Sequence, residues 1–409
     1  MRRRVVITGI GLASPIGNDL DALAAALREG RHGVAARADW ASIGQLQTRL
    51  AAEVRDLDLG AYPRKKARTM GRVGLLALYA TERALADAGL APGEVTSGRT
   101  GLAYGSTHGS SSALEAFCRQ LFATGSLQGL AGSTYLKFMS HTCAANLAQC
   151  FGLRGRVIST CAACVSASVA IGTGYELVRD GVQDVMICGG AEEMHFVHAG
   201  VFDIMFATSC RYNDRPDLSP RPFDADRDGL VVGEGAGALV LEPYDRAVAR
   251  GARIHAEVIG FGNNCDGTHV TSPSSVGMAD VMRLALEDAR LPPAAVGYIN
   301  AHATATDVGD IAESEATRRV FGEGVPVSST KGHTGHTLGA CGAIEAAVCV
   351  LALRDGRLPP TRNLDRVDPR CAPLDYITRA PREAPVEVAM SNNFAFGGIN
   401  TSLIFRRAP

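Results

Sequence analysis

The chain has 409 residues, 46% of them hydrophobic and 20% charged, with a formal net charge of −1. That length suits two average domains or one large α/β unit. The near-neutral balance speaks against a nucleic-acid or membrane-surface protein, and no apolar run approaches the ~20 residues of a membrane-crossing helix.

The start, MRRRVVITGIGLASP, imitates a secretory leader, with arginines before an apolar stretch. Thr8, Gly9 and Gly11 interrupt it, so it reads better as a strand over Val5–Ile10 and a turn. Leu20–Arg28 and Arg72–Ala88 have helical spacing, while Val185–Cys188 and Ala238–Leu241 are continuous apolar runs of strand length. Alternation of this kind predicts an α/β protein whose sheets are covered on both faces. The 11 cysteines are odd in number and irregularly spaced. They fit free thiols in a reducing compartment, and so a cytoplasmic protein.

An internal echo runs through the chain. ALADAGLAPGEV (Ala84–Val95) lies over ALEDARLPPAAV (Ala285–Val296) with seven of twelve positions identical. In both copies a helix ends near a proline and a strand follows. A second echo sets His141-Thr142 and Ala145 against His336-Thr337 and Ala340. The pattern predicts two similar halves, residues 1–250 and 251–409, each with its own sheet, and a shared site where corresponding strand ends converge.

VISTCAACVSASVAIG, from Val157 to Gly172, is a short β-branched strand, two cysteines three apart, and a helix of small residues. A helix that is apolar on every side is a buried one. Its N-terminus directs unpaired N–H groups at whatever stands there, which would lower a thiol's pKa and could hold an oxyanion. Three readings stay open on these residues alone. They are Cys-x-x-Cys redox chemistry, a zinc site lacking the rest of its ligands, and small cysteines filling a core.

YINAHATATDVGD puts His302 directly after a strand, with Thr304 and Thr306 behind it. SSTKGHTGHTLGACGAIEA puts Lys331, His333 and His336 in a glycine-rich turn before a small-residue helix holding Glu345. Histidines on loops at strand ends can polarise a carbonyl or move a proton. Two of them with a lysine and an elbow cysteine suit acyl chemistry.

With these blocks in order, the chain resembles the elongating 3-oxoacyl-acyl-carrier-protein synthases, condensing enzymes of the thiolase superfamily. VVITGIGLASPIG, CGGAEE, RPFDADRDGLVVGEGAGALVLE and NNFAFGGINTSLIF extend the match almost end to end. The resemblance implies a thiolase-like fold, two duplicated βαβ halves in an αβαβα layered sandwich. It places the nucleophile eight residues before a helix glycine, here Gly172, which selects Cys164 and puts Cys161 on the preceding strand. It implies that Cys164 accepts an acyl chain, that His302 and His336 stabilise the enolate left by decarboxylation of malonyl-carrier protein, and that N–H groups of Cys164 and Phe396 hold the oxyanion. Lys331 and Glu345 are implied to organise the site's charges. Thr304 and Thr306 match positions that bind the phosphopantetheine arm. Phe202 and Phe394 match substrate-binding positions, and the Phe394–Gly398 loop matches a moving gate. Arg64, Lys65, Lys66 and Arg68, otherwise a solvated helix face, match a docking patch for the acidic acyl carrier protein, with Arg211 as a second element. No cofactor and no metal is expected. A homodimer is, or a heterodimer with a related subunit, with no nucleic-acid or membrane partner.

The chain also departs from that pattern. Ala303 stands for a glycine, Asp307 for a proline, Ala395 for the glycine between the gate phenylalanines, and Ile399 for a threonine. Alanine at 395 would stiffen the loop. His108 falls near a position that borders the acyl tunnel in relatives, where a polar side chain would disfavour a plain saturated chain. These changes leave the reaction class intact and open a specialised polyene or polyketide-type pathway.

Overall fold

Apolar runs with little polar interruption become strands covered on both faces. The computed structural model, which describes residues 2–408, has β1 (Val5–Ala13), β2 (Thr100–Gly105), β3 (Val157–Ser159), β4 (Val185–Glu192), β5 (Gly235–Pro243), β6 (Ala256–Cys265), β7 (Tyr298–Asn300), β8 (Pro326–Ser328), β9 (Asp375–Tyr376), β10 (Val388–Phe394) and β11 (Ile399–Arg407). The helices that shape the site are α1 (Arg72–Ala88), α2 (Ser111–Thr124), α3 (Thr142–Phe151), α4 (Ser166–Arg179), α5 (Phe196–Ile204), α6 (Ser275–Ala289), α7 (Asp307–Phe321) and α8 (Cys341–Asp355).

All eleven strands join one mixed sheet in the order β9-β8-β7-β10-β11-β6-β1-β5-β4-β2-β3. From the β1–β6 seam outward, each arm repeats one pattern, two antiparallel pairings and then parallel ones. The halves do not keep separate sheets as expected. Val5, Val6 and Ile7 of β1 pair with Val258, Glu257 and Ala256 of β6, so the two arms are continuous. Helices α4 and α8 lie between the arms and pack on strands of both. Helices α1 and α3 cover the outer face of one arm, and α6, with α7 packed on it, covers the other. The layers are therefore αβαβα, those of a thiolase-like fold. Every residue of α8 from Cys341 to Leu353 is buried, as its small and apolar sequence, interrupted only by Glu345, requires.

The first echo is a structural repeat. A Cβ at Gly9 would stand 2.1 Å from the Ala84 carbonyl oxygen, and one at Gly260 2.5 Å from that of Ala285. The same glycine device brings β1 against α1 and β6 against α6. The second echo is not a repeat. His141 caps α3, whereas His336 precedes the turn into α8, whose counterpart is α4. The residue that matches His336 is Cys161. Each stands two residues before a left-handed residue, Leu338 at φ 49° and Ala163 at φ 48°, that opens a 3-10 turn into a central helix.

Candidate active site

Those two 3-10 turns, Ala163–Val165 and Leu338–Ala340, pack against each other and bring residues from both halves to one point. Cys164 lies within the first turn, just ahead of α4. Cys161 is not on the preceding strand. It lies beyond β3 in an exposed turn, where its Sγ donates to the Thr107 carbonyl at 2.9 Å.

Cys164 Sγ is 3.1 Å from His336 Nε2. The His302 and His336 rings meet edge to face, centroids 5.1 Å apart, and Phe394 stands 6.1 Å from His302. Backbone N–H groups of Phe396 and Cys164 are turned to the sulfur. Burial nevertheless pushes the thiol up to about 12, outweighing Lys331 and those N–H groups. The expectation of a lowered thiol pKa is corrected, because a thiolate loses its water in this interior. Burial, and then the Lys331 charge, hold both histidines well below their ordinary value, so they are neutral.

A shell of buried side chains fixes these groups. Asn393 Nδ2 donates to Glu345 Oε2 at 2.6 Å and stands 3.3 Å from His302 Nδ1. Ser168 of α4 hydrogen-bonds the same asparagine. Lys331 is paired with Glu345; burial lowers the lysine's pKa, but the glutamate outweighs it, so Lys331 stays charged. Cys341 Sγ donates to the Cys164 carbonyl at 3.2 Å. Glu313 of α7 accepts from the N–H groups of His302 (2.8 Å) and Ala303 (2.6 Å), and burial raises its pKa to about 8. Asp310 accepts from Ala305 N–H at 3.1 Å and so fixes the turn between Thr304 and Thr306.

A cavity of about 380 Å³ opens on this point, lined by Cys164, His302, His336, Phe202, Thr304 and Thr306 among others. The two threonine hydroxyls are 3.1 Å apart, and Phe202 stacks on Phe396 at 5.2 Å. Phe394 and Ala395 also line the cavity. Its outer lining includes Phe206, 93% exposed, with Val270 and Val308. Lys331 and Glu345 stand behind the cavity wall. His108 is not part of that wall and contacts Thr107, Ser111 and His198 instead. Arg64, Lys65 and Lys66 form a one-turn helix with Arg68 next to it. Arg64, Lys65 and Arg68 are exposed, whereas Lys66 is paired with Glu82. Arg211 is exposed but donates to the carbonyls of Asp226 and Arg227.

The sequence reading missed Asn393, Cys341, Glu313 and Ser168. Asn393 and Cys341 lie in quoted motifs, but nothing in linear spacing says that their side chains turn inward. Ser168 sits one turn into α4, where the small-residue pattern marked burial and nothing more.

Two domain families match this chain: "Beta-ketoacyl synthase, N-terminal domain" over residues 2–247 and "Beta-ketoacyl synthase, C-terminal domain" over residues 255–365. The chain is 36% identical over 406 residues to 3-oxoacyl-[acyl-carrier-protein] synthase 1 of Haemophilus influenzae, covering 99% of each. It superimposes on a crystal structure of a beta-ketoacyl synthase from Burkholderia phymatum with a TM-score of 0.96 at 52% identity, over 100% of both chains. The ishigamide ketosynthase/chain length factor structure matches over 100% of both chains with a TM-score of 0.93 at 34% identity.

Proposed function

The chain belongs to the beta-ketoacyl synthase family, and from that premise we propose that Cys164, His302 and His336 carry its reaction in distinct roles. The reaction is the decarboxylative Claisen condensation of an acyl-enzyme thioester with malonyl-carrier protein, giving a 3-oxoacyl-carrier protein in fatty-acid or polyketide elongation. The observation that carries the assignment is the convergence of these three side chains, from two halves, on one cavity.

In the loading step the Cys164 thiol gives its proton to His336 Nε2 as sulfur attacks the acyl thioester. The departing pantetheine thiol takes that proton away. This route suits a thiol whose pKa is raised, because no free thiolate accumulates. In the condensing step the malonyl thioester carbonyl accepts from Nε2–H of both histidines. Carbon dioxide leaves, its bonding electrons become the enolate, and the enolate carbon attacks the Cys164 thioester. The N–H groups of Cys164 and Phe396 receive the oxyanion, and collapse releases the sulfur as a thiolate, which takes a proton from solvent as the product leaves.

Asn393 Nδ2 facing His302 Nδ1 keeps that nitrogen an acceptor, so the His302 proton sits on Nε2, toward the substrate. His336 Nδ1 is buried with no partner among the described residues. The surrounding side chains therefore impose no tautomer on it; the change from Nε2 accepting during loading to Nε2–H donating during condensation moves one proton off Nδ1 and one onto Nε2, exchanged with solvent while the cavity is open. Thr304 and Thr306 hold the pantetheine arm. Phe202 and Phe394 shape the cavity, and Lys331 with Glu345 fixes Asn393.

The carrier covers the cavity mouth, with Arg64, Lys65 and Arg68 for its acidic face and Phe206 for its apolar contact. The chain pairs with a second copy or with a related subunit, as in the ketosynthase/chain length factor pair. The short edge strand β3 at the end of the sheet, with Val157 44% exposed, supports pairing there. No helix among the described residues is long and apolar enough to cross a membrane. The cysteines described are all free, which supports a cytoplasmic setting.

The test is peptide mass spectrometry after incubation with a panel of acyl-carrier proteins. The expected acyl adduct is on Cys164, and the chains that load define the primer. An adduct on Cys161, or none with any chain, would overturn the assignment.

A further inference from the structure

Behind the elbow, away from the cavity wall, two imidazoles face each other. His108 Nε2 and His198 Nε2 are 2.9 Å apart, and the Ser111 hydroxyl oxygen is 2.5 Å from one and 2.9 Å from the other. Each ring has an outer partner. His108 Nδ1 stands 3.1 Å from the Thr107 hydroxyl. The Glu193 carbonyl accepts from the His198 ring, and with Nε2 turned to His108 the donor is Nδ1. With the His198 proton on Nδ1, at most one ring proton lies between the two Nε2 atoms, and the Ser111 hydroxyl crowds the same space.

The charge balance points the same way. Glu192 is fully buried, and no arginine or lysine among the described residues pairs with it. One carboxylate oxygen accepts from the N–H groups of Thr107 (3.0 Å) and Gly339 (3.1 Å), and the other has no partner. Glu193 beside it is also fully buried and is met only by the hydroxyl of Ser110 and the N–H groups of Ser112 and Val73. Once ionised, Glu192 is a buried carboxylate without a salt-bridge partner among the described residues, which is expensive.

We propose that His108, His198 and Glu192 bind a divalent transition-metal ion of the zinc class, with the Ser111 hydroxyl or a water as fourth ligand. Ligand atoms of the three residues lie within 4.8 Å of one another. Two imidazole nitrogens on tetrahedral zinc stand about 3.3 Å apart, so the two rings part by a few tenths of an ångström to admit the ion, and the Glu192 carboxylate moves in to complete the set. Two imidazoles and a carboxylate favour zinc over magnesium or calcium. The outer partners that orient metal-bound histidines, Thr107 and the Glu193 carbonyl, are already in place. The ion ties the turn before α2 to the end of β4 and to α5. It holds the elbow's rear wall and takes no part in the condensation.

The test uses the full chain carrying Cys164→Ala and Cys341→Ala, because Cys164, His302 and His336, and likewise His302, Cys341 and Glu345, are themselves close enough to hold an ion. After chelation and gel filtration, zinc and cobalt(II) are added and retained metal is measured by elemental mass spectrometry. The expected result is one equivalent retained, a tetrahedral cobalt absorption band, and a rise in melting temperature on adding zinc. His108→Ala or His198→Ala in that background should weaken binding at least tenfold and abolish the rise, with the metal-free melt marking the fold as intact. Glu192→Gln, nearly isosteric, gives the same reading should a histidine variant fail to fold. No stoichiometric retention, or retention unchanged in these variants, overturns the proposal.

Discussion

On the proposed assignment, replacing Cys164 by alanine removes the atom that carries the acyl group, so condensation should fall by about 10³-fold or more in a carrier-protein assay. Cys161→Ala removes one exposed contact to the Thr107 carbonyl and should leave the rate within about twofold. Asn393→Ala acts through His302 rather than on substrate. It frees the ring's tautomer and leaves Glu345 Oε2 without its donor. We expect kcat to fall about 10- to 100-fold with KM for malonyl-carrier protein little changed, and Asn393→Asp not to restore it, since a carboxylate cannot donate to Nδ1. The meeting of Cys164, His302 and His336 at one cavity was legible because motif blocks fix their places. The thiol's pKa was not. The helix-terminus argument is local, whereas the burial that dominates is supplied by α8 and the gate loop, far off in sequence.

Among the elements, the repeat carries a defect that can be measured. Gly89 ends α1 at φ 62°, and Arg290, its partner in the echo, ends α6 in the same left-handed conformation at φ 55°. A side chain there is strained. Arg290→Gly should therefore stabilise the protein by about 0.5–1 kcal/mol in denaturant unfolding, without altering activity. Asp184 links three places in the first arm, accepting from Arg99 at 2.9 Å and from Arg3 at 3.0 Å. Those guanidiniums, Arg99 first, lower its pKa to about 2. A depressed carboxyl stabilises the fold above its ordinary pKa, and that contribution is lost as pH falls from about 4 to about 2. Asp184→Asn should destabilise by about 1 kcal/mol at pH 7, after allowance for solvent screening, with the difference vanishing near pH 2 in thermal melts. The strands and helices were legible from period and run length, and their ends moved by a few residues. The second echo misled because identical dipeptides do not fix a register. Topology does, and it pairs His336 with Cys161.

At the scale of the molecule, two similar halves do not make two independent units. The arms share one sheet, and α4 and α8 each pack on both of them. Differential scanning calorimetry should record one cooperative transition, and two separated transitions would contradict this architecture. The αβαβα order was legible through the resemblance. The seam was not, because the few residues of β1 and β6 that pair carry no pattern different from any buried strand.

The fully buried α8 has a consequence for anyone who divides the gene. A fragment ending before residue 251 would expose the faces of β4 and β5 that α8 covers, and the other fragment would carry a helix with no polar side to offer water. Neither piece is a product that a cell could keep in solution alone. Made together, each supplies the other's missing interior, so activity should return on co-expression and not on mixing the separately purified parts.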